Sequence, residues 1–259
     1  MTDRTGLLER GELVVEGRLV AATNTTLLCR ITGPDGNARC VYKPAAGERP
    51  LWDFPDGTLA AREYAAYLVS EAAGWQLVPP TVLRGGPYGP GMCQLWVDQS
   101  GEELVDIVPR YAVRDGWLAA LHAVDGDGKP VTLVHADDPR LRRLALFDIV
   151  INNADRKAGH ILVDSRGTLL GVDHGVSFHA EDKLRTVLWG WAGTELSDDE
   201  RGLLLHLLAE TEGALGSRLA ELLAAEELRA MHERISRLVG HGRLPAIEDR
   251  PRPIPWPVF

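Results

Sequence analysis

Two acidic residues, Asp155 and Asp173, stand at the two ends of a segment whose pattern predicts a β-hairpin. Residues 161–163 form one short apolar strand, residues 165–167 the turn, and residues 168–172 the returning strand. Because a hairpin returns on itself, we expect the two carboxylates to meet in space although they are far apart in sequence. Such a pair suits a divalent cation beside a phosphate, or a general base beside a metal.

The residues at these two ends are candidates for phosphoryl transfer. Asp155 would orient or deprotonate an acceptor hydroxyl, and Arg156 or Lys157 would screen the charge of the transition state. An Asp-Arg pair in a loop is also typical of a surface salt bridge. Asp173 would hold a divalent cation that bridges the β- and γ-phosphates of a nucleotide. An aspartate, a short hairpin and then Asp-x-Gly is the order found in kinase-like phosphotransferases.

The first hundred residues are rich in predicted strands. Residues 11–20, 26–32 and 39–42 form three of them, and Pro-Asp-Gly at 34–36 is a hairpin turn. A helix follows over residues 58–73 and ends before a glycine, which is the residue expected just past a helix C-terminus. The elements that must position the chemistry are therefore a small antiparallel sheet and the helix that follows it.

This sheet and helix carry residues that suit the phosphates of a nucleotide. Lys43 ends the third strand, and Glu63 lies near the start of the helix. A lysine held by such a glutamate can clamp phosphates through charge-assisted bonds. The small polar loop at Asn24, Thr25 and Thr26 would wrap the same phosphates. The alternatives are a solvated lysine, a solvent-facing glutamate and an ordinary turn.

A strand over residues 92–97 joins the sheet to the rest of the chain, and the polar stretch at residues 98–101 indicates a boundary between two lobes. The strand ends in Gln94, Leu95, Trp96 and Val97. In a two-lobed nucleotide-binding protein, the backbone of such a linker takes the adenine edge and its apolar side chains cover the ring. A core strand is the alternative, and both interpretations can hold together.

From about residue 140 onward, apolar residues recur with the helical period. A buried helix over residues 141–151 would lead into the hairpin, and residues 197–213 and 214–239 predict two amphipathic helices. The tail alternates proline with other residues and favours an extended arm. We predict three regions: an N-lobe over residues 1–98, a helical C-lobe over residues 99–250 and a proline-rich tail over residues 251–259.

The bulk composition excludes some classes of partner. The net charge of −9 disfavours general binding to nucleic acids and electrostatic docking on anionic membranes. The N-terminus shows no signal-peptide pattern, and no apolar run is long enough to span a bilayer. The three cysteines, Cys29, Cys40 and Cys93, lack CxxC spacing and predict reduced thiols in a cytoplasmic protein.

Several motifs resemble those of a known superfamily. Residues 153–162, followed by Asp-x-Gly at 173–175, resemble the catalytic and metal loops of the phosphatidylinositol 3-/4-kinase superfamily, which shares an atypical kinase fold with HipA-type bacterial kinases. Residues 91–98 are similar to the hinge of the type II phosphatidylinositol 4-kinases. The chain from about residue 10 to 250 resembles a bacterial branch of this superfamily. The motifs that mark the branch are residues 51–59, 78–81 and 184–193.

The resemblance implies an α+β, two-lobed atypical protein-kinase-like fold, with an antiparallel-sheet N-lobe and a mainly helical C-lobe. It implies transfer of the γ-phosphate of ATP to a hydroxyl, with Mg²⁺ or Mn²⁺. His160 replaces the usual asparagine at the second metal position, and imidazole suits Mn²⁺ better than Mg²⁺. The usual glycine-serine phosphate loop is missing. Only Lys183 and Arg185 follow Asp173 where a basic cluster would read an inositol phosphate, so we expect a protein or small-molecule acceptor rather than a lipid.

Other functions remain open at this point. His160 also suits a pseudokinase that binds nucleotide without transferring phosphate, and the same fold can transfer AMP instead of phosphate. A metallohydrolase is a weaker alternative, because its candidate ligands form no recognised metal motif. Those ligands are His135, Asp137, His160, His174 and His179. A scaffold without a nucleotide pocket is the least favoured alternative.

Overall fold

The computed structural model describes residues 4–19, 24–34, 36–49, 51, 54, 58–247, 250 and 252–259. Its N-terminal part contains α1 (Arg4–Arg10), β1 (Glu12–Arg18), β2 (Leu27–Gly33), β3 (Gly36–Pro44), β4 (Thr81–Gly86) and β5 (Gly89–Leu95). The five strands form one antiparallel sheet in the order β1-β2-β3-β5-β4. The three strands predicted before residue 43 correspond to β1, β2 and β3, although Val20 lies outside the described residues.

The turn between β2 and β3 needs a glycine. The strands pair up to Gly33 and Gly36, and Gly36 has a φ of +118°, which residues with a side chain rarely adopt. The predicted Pro-Asp-Gly turn therefore lies at the right place, with Asp35 outside the described residues. Cys29 and Cys40 face each other across β2 and β3, and both are buried and free, as is Cys93.

Helix α2 (Leu59–Ala72) connects the N-lobe sheet to the C-lobe. Its first turn is capped twice, because the Thr58 hydroxyl accepts the N–H of Ala61 and the Glu48 carboxylate accepts the N–H groups of Leu59 and Ala60. The Asp56-Gly57 start signal lies outside the described residues. The apolar face of α2 joins the large core of the C-lobe rather than the small core of the sheet.

A three-stranded sheet follows β5, which the sequence patterns did not predict. It consists of β6 (Val105–Pro109), β7 (Trp117–Val124) and β8 (Pro130–Ala136), in the antiparallel order β6-β8-β7. β6 and β7 expose apolar residues such as Ile107 and Val124, and β8 buries four residues in succession, so none of them shows the alternation by which a half-buried strand is recognised. The C-lobe is therefore less purely helical than we expected.

The rest of the C-lobe contains α3 (Pro139–Ile151), the hairpin strands β9 (Ile161–Val163) and β10 (Leu169–Gly171), α4 (Asp198–Thr211), α5 (Ala214–Leu219) and α6 (Ala225–His241). The predicted hairpin, buried helix and first amphipathic helix are confirmed. The single helix predicted over residues 214–239 is wrong. No glycine or proline marks the break after Leu219. The Glu227 carboxylate accepts the N–H of Ala224 and starts α6 as a new helix.

Within the described residues, no helix is long and apolar enough to cross a membrane.

Candidate active site

A cleft of about 560 Å³ lies between the N-lobe sheet and the hairpin of β9 and β10. All the predicted site residues except Arg156 line it. They are Asn24, Thr25, Thr26, Lys43, Glu63, Gln94, Leu95, Trp96, Val97, Asp155, Lys157, His160 and Asp173. The structure thus brings together groups that are spread over 150 positions of the chain, at the place where the two lobes meet.

Lys43 lies at the centre of this cleft. Its Nζ is 2.6 Å from Oε1 of Glu63 on α2 and 2.7 Å from Oδ1 of Asp173 after β10. The second oxygen of the buried Glu63 accepts the N–H of His174. The end of β3, the first half of α2 and the loop after the hairpin are therefore held together by charged contacts. The predicted inward orientation of Glu63 is what the structure shows.

The charges of this cluster stabilise one another. Burial opposes the charged form of Lys43, but Asp173 and Glu63 outweigh it and raise the pKa of the lysine. The lysine in turn holds the pKa of Asp173 well below its usual range. Lys43 and Asp173 are therefore both charged at neutral pH, which is the state that binds phosphate and a metal cation.

Asp173 and His160 present two metal-ligating atoms to the cleft. Nε2 of His160 is 3.3 Å from Oδ2 of Asp173, and Nδ1 lies 3.0 Å from the carbonyl oxygen of Asp155. With the ring proton on Nδ1, the lone pair of Nε2 faces Asp173. Burial lowers the pKa of His160 to about 4, so the ring is neutral at neutral pH.

This pair fits a divalent cation that is shared with a nucleotide. Neighbouring ligands of an octahedral metal with bonds of about 2.1 Å lie roughly 3 Å apart, close to the separation observed. Among the described residues, no group of three or more acidic, histidine or cysteine side chains could hold a metal. Mg²⁺ is commonly bound by one or two protein ligands plus substrate phosphates, so a site made of Asp173 and His160 needs no third protein ligand.

Asp155 is held by its neighbours at the mouth of the hairpin. Its N–H donates to Oδ1 of Asn153, and its Oδ2 is 3.0 Å from Nζ of Lys157. Burial raises the pKa of Asp155. A carboxylate with a raised pKa is a better proton acceptor than a free one, and the lysine beside it supplies a positive charge in the cleft.

Arg156 does not belong to the cleft, so the charge-screening role predicted for it does not fit its position. Its side chain is 0% exposed and bonds both oxygens of Asp148, which lies on α3. It also donates to the carbonyl oxygens of His160 and Val172 and contacts Nε2 of His174. Arg156 therefore ties both ends of the hairpin to α3.

The sequence interpretation missed Asp148 and gave no separate role to Asn153, the first residue of the motif at 153–162. Both support the loop that carries Asp155. Asn153 donates to Oδ1 of Asp148 and accepts the N–H of Asp155. The signal was present, because Asp148 is an acidic residue within an otherwise apolar face of α3. A buried charge requires a partner, and Arg156 is that partner.

The predicted strand over residues 92–97 ends at Leu95, as β5, and residues 94–97 serve both the core and the cleft. Gln94 is buried and donates to the hydroxyl of Thr81, as a core residue would. The N–H of Leu95 donates to Pro80, and the N–H of Trp96 donates to Arg39. The donors of Leu95 and Trp96 are therefore already occupied, so Val97 offers the next backbone N–H along this wall.

The polar loop packs on the segment that caps α2. Oδ1 of Asn24 accepts the N–H of Arg49, and the N–H of Thr25 reaches the carbonyl oxygen of Gly47 at 3.4 Å. The hydroxyl of Thr26 donates to the carbonyl oxygen of Asn24. The chain just before Asn24, at residues 20–23, lies outside the described residues.

One of the histidines considered as a metallohydrolase ligand, His135, has a structural role. Nε2 of His135 accepts the N–H of Gly190, and its ring lies 4.4 Å from that of Trp191. Nε1 of Trp191 donates to Asp137. Buried His135 and Trp191 therefore pack the three-stranded sheet against residues 189–191, away from His160.

The chain was compared with known proteins. It is 50% identical over 271 positions to protein Rv2133c of Mycobacterium tuberculosis, with 99% of this chain and 96% of that protein covered. The chain belongs to the Rv2133c family. No protein-family model matches it.

Two solved structures illustrate the fold that this chain shares with known proteins. Hydra Fam20, solved with sugar, has a TM-score of 0.56 and 15% identity, over 92% of this chain and 87% of that one. The Golgi casein kinase with Mn and ADP bound has a TM-score of 0.51 and 15% identity, over 92% of this chain and 74% of that one. These likenesses confirm an α+β, kinase-like fold for this member of the Rv2133c family.

Proposed function

We propose that this protein is an ATP-dependent phosphotransferase that moves the γ-phosphate of ATP to a hydroxyl. The observation that carries the proposal is the position of Lys43, within 2.7 Å of both Glu63 and Asp173, in a cleft that also contains Asp155. A lysine, a metal-binding aspartate and an acceptor-orienting aspartate are the groups that phosphoryl transfer needs most.

Each group has a role in the proposed reaction. Asp155 accepts the proton of the acceptor hydroxyl while the new bond to the γ-phosphorus forms and the bond to the β-phosphate oxygen breaks, which releases ADP. Lys43 holds the nucleotide phosphates, and Lys157 screens the charge of the transition state. Asp173 and His160 would hold Mg²⁺ or Mn²⁺, which would supply further neutralisation of phosphate charge.

The nucleotide is expected to enter with its base against the segment that follows β5, at Trp96 and Val97. The adenine edge would bond the backbone at Val97, since the N–H groups of Leu95 and Trp96 are engaged. Residues 24–26 would lie beside the phosphates. This proposal keeps three further predictions: the boundaries of the N-lobe, C-lobe and tail, the cytoplasmic location, and the likeness to the phosphatidylinositol 3-/4-kinase superfamily. We favour a protein or small-molecule acceptor over a lipid.

The test is to incubate the chain with ATP and Mg²⁺ or Mn²⁺ and to follow nucleotide turnover and intact mass. We expect ADP to form, and Asp173→Asn to lower the rate by about a hundredfold or more, because the cation that would neutralise the phosphate charge loses its carboxylate ligand. Asp127→Asn, at an exposed carboxylate outside the cleft, is the matched control. Equal turnover by Asp173→Asn and the parent would disprove the proposal.

The same experiment separates the alternatives. A pseudokinase would bind ATP in the presence of metal and leave it intact. An AMP transferase would retain label from α-labelled ATP on its product, whereas a kinase retains only label from γ-labelled ATP. Binding of ATP without turnover, or α-label retained on the product, would replace the kinase assignment.

A further inference from the structure

A second pocket, of about 540 Å³, lies on the C-lobe beside α6. Its volume is typical of a small-molecule site, and it shares no lining residue with the cleft. Ile149, Leu184, Leu238 and Leu244 give it apolar walls. The pocket is therefore a separate cavity with room for an organic ligand.

Basic side chains dominate the polar part of its lining. Arg234, Arg237, Arg243, Arg250 and His241 line the pocket, together with the single carboxylate of Asp182. Arg250 bonds both oxygens of Asp182, and Arg243 pairs with Glu195. Within the described part of the chain, Arg234 and Arg237 form no ion pair, so the pocket carries an excess of two positive charges.

Arg234 is the buried member of this set, with only 8% of its surface exposed. Nε donates to the carbonyl oxygen of Val150 and Nη1 to that of His179, whereas Nη2 has no hydrogen-bond partner among the described residues. Nε of Arg250 also has none. Burial lowers the pKa of Arg234 to about 10, so the group still carries its charge at neutral pH. A buried guanidinium with an unused N–H is costly unless an acceptor reaches it.

We propose that this pocket binds an organic phosphate ester, with its phosphate at Arg234 and Arg237 and its apolar body against the leucine walls. Within the described residues, neither guanidinium has a carboxylate in ion-pair contact, so the two match the two charges of a phosphate monoester. Guanidinium N–H groups also match its oxygens in geometry. The apolar walls favour an esterified phosphate over the free ion. This inference is independent of the proposed kinase activity.

The experiment is calorimetric titration of the full chain with phenyl phosphate, inorganic phosphate and benzoate at matched ionic strength. We expect saturable binding of one phenyl phosphate, at least about fivefold tighter than either of the other two. Tighter or equal binding of benzoate would overturn the phosphate assignment. Lys43→Met disables the phosphate-binding lysine of the cleft, so loss of binding in that variant would place the ligand there instead.

Variants at the pocket complete the test. Arg237 is exposed, so Arg237→Ala should fold normally and weaken binding by about fivefold or more. Arg229→Ala, an exposed arginine on the same helix outside the pocket, should change nothing. If both variants weakened binding equally, the binding would be explained by general charge attraction, and the proposed site would be refuted.

Glu248 and Asp249 precede Arg250 in the chain and lie outside the described residues. The double variant Glu248→Gln/Asp249→Asn therefore tests whether acids of the chain itself occupy the arginines. Binding within twofold of the parent supports the proposal. Binding that appears only in the double variant overturns it, because the pocket would then be filled by the chain.

Discussion

The side chains of the catalytic loop owe their positions to the buried ion pair between Asp148 and Arg156. Arg156 bonds the carbonyl oxygens at both ends of the hairpin, and Asp148 holds Asn153, which in turn holds the N–H of Asp155. Of Asp148, Asn153, Asp155 and Arg156, only Asp155 lines the cleft. Replacement of a support residue should therefore disturb stability and catalysis together.

We predict that Asp148→Asn destabilises the fold by about 3 kcal/mol, because removal of one partner leaves a buried, uncompensated charge. Chemical denaturation would measure the change in unfolding free energy. Asp127→Asn, which breaks the exposed pair with Lys129, is the control and should leave the midpoint unchanged. A similar midpoint for Asp148→Asn and the parent would contradict the supporting role of this pair.

At the scale of single elements, the sequence predicted what local patterns determine. The hairpin of β9 and β10, the capping box of α4 and the N-cap of α2 each depend on residues within a few positions. The sheet of β6 to β8 depends on packing between distant parts of the chain. The break before α6 depends on a helix cap that no glycine or proline marks in the sequence. The same division holds for position in the site. Lys43, a candidate from its place at a strand end, lies in the cleft, whereas Arg156 lies outside it, because burial is not visible in the sequence.

The first turn of α4 provides a test that depends on pH. Glu200 accepts the N–H of Ser197 and pairs with Arg142. Burial alone would raise the pKa of Glu200, but these contacts outweigh it and lower the pKa. Because the pKa of Glu200 is lower in the folded than in the unfolded state, its charge stabilises the fold at pH values above the unfolded-state pKa. This stabilisation is lost as the pH falls through the folded-state pKa.

We therefore predict that Glu200→Gln costs about 1 kcal/mol at pH 7 and that the difference from the parent shrinks below about pH 4. Thermal unfolding across this pH range would measure it. Asp199→Asn, at an exposed acid of the same turn, is the matched control. A difference that stays constant from pH 7 to pH 3 would contradict the assignment of the effect to the Glu200 charge.

At the scale of the whole molecule, α2 is fixed to the C-lobe. Arg62 is fully buried, and its Nη1 lies 2.6 Å from Oε1 of Glu227 on α6 and 2.8 Å from the carbonyl oxygen of Ser177. Glu63, the next residue, is the partner of Lys43. The position of Glu63 in the cleft is thus set by a contact between α2 and α6.

We predict that Glu227→Gln weakens nucleotide binding by about tenfold, because α2 loses its charged anchor and Glu63 no longer holds Lys43 in place. Calorimetric titration with ATP and Mn²⁺ would measure the affinity, with Glu226→Gln on the same turn of α6 as the exposed control. Reduced thermal stability with unchanged ATP affinity would show that the Arg62–Glu227 pair supports the fold alone.

The two acidic partners of Lys43 both belong to the C-lobe side of the cleft, since α2 packs in the C-lobe core and Asp173 follows β10. Separation of the lobes must therefore break both ion pairs at once. Movement of the N-lobe sheet away from the hairpin is opposed by Coulomb attraction, which dissolved salt screens. If a nucleotide occupies this cleft, as proposed, its release should become faster as the salt concentration rises.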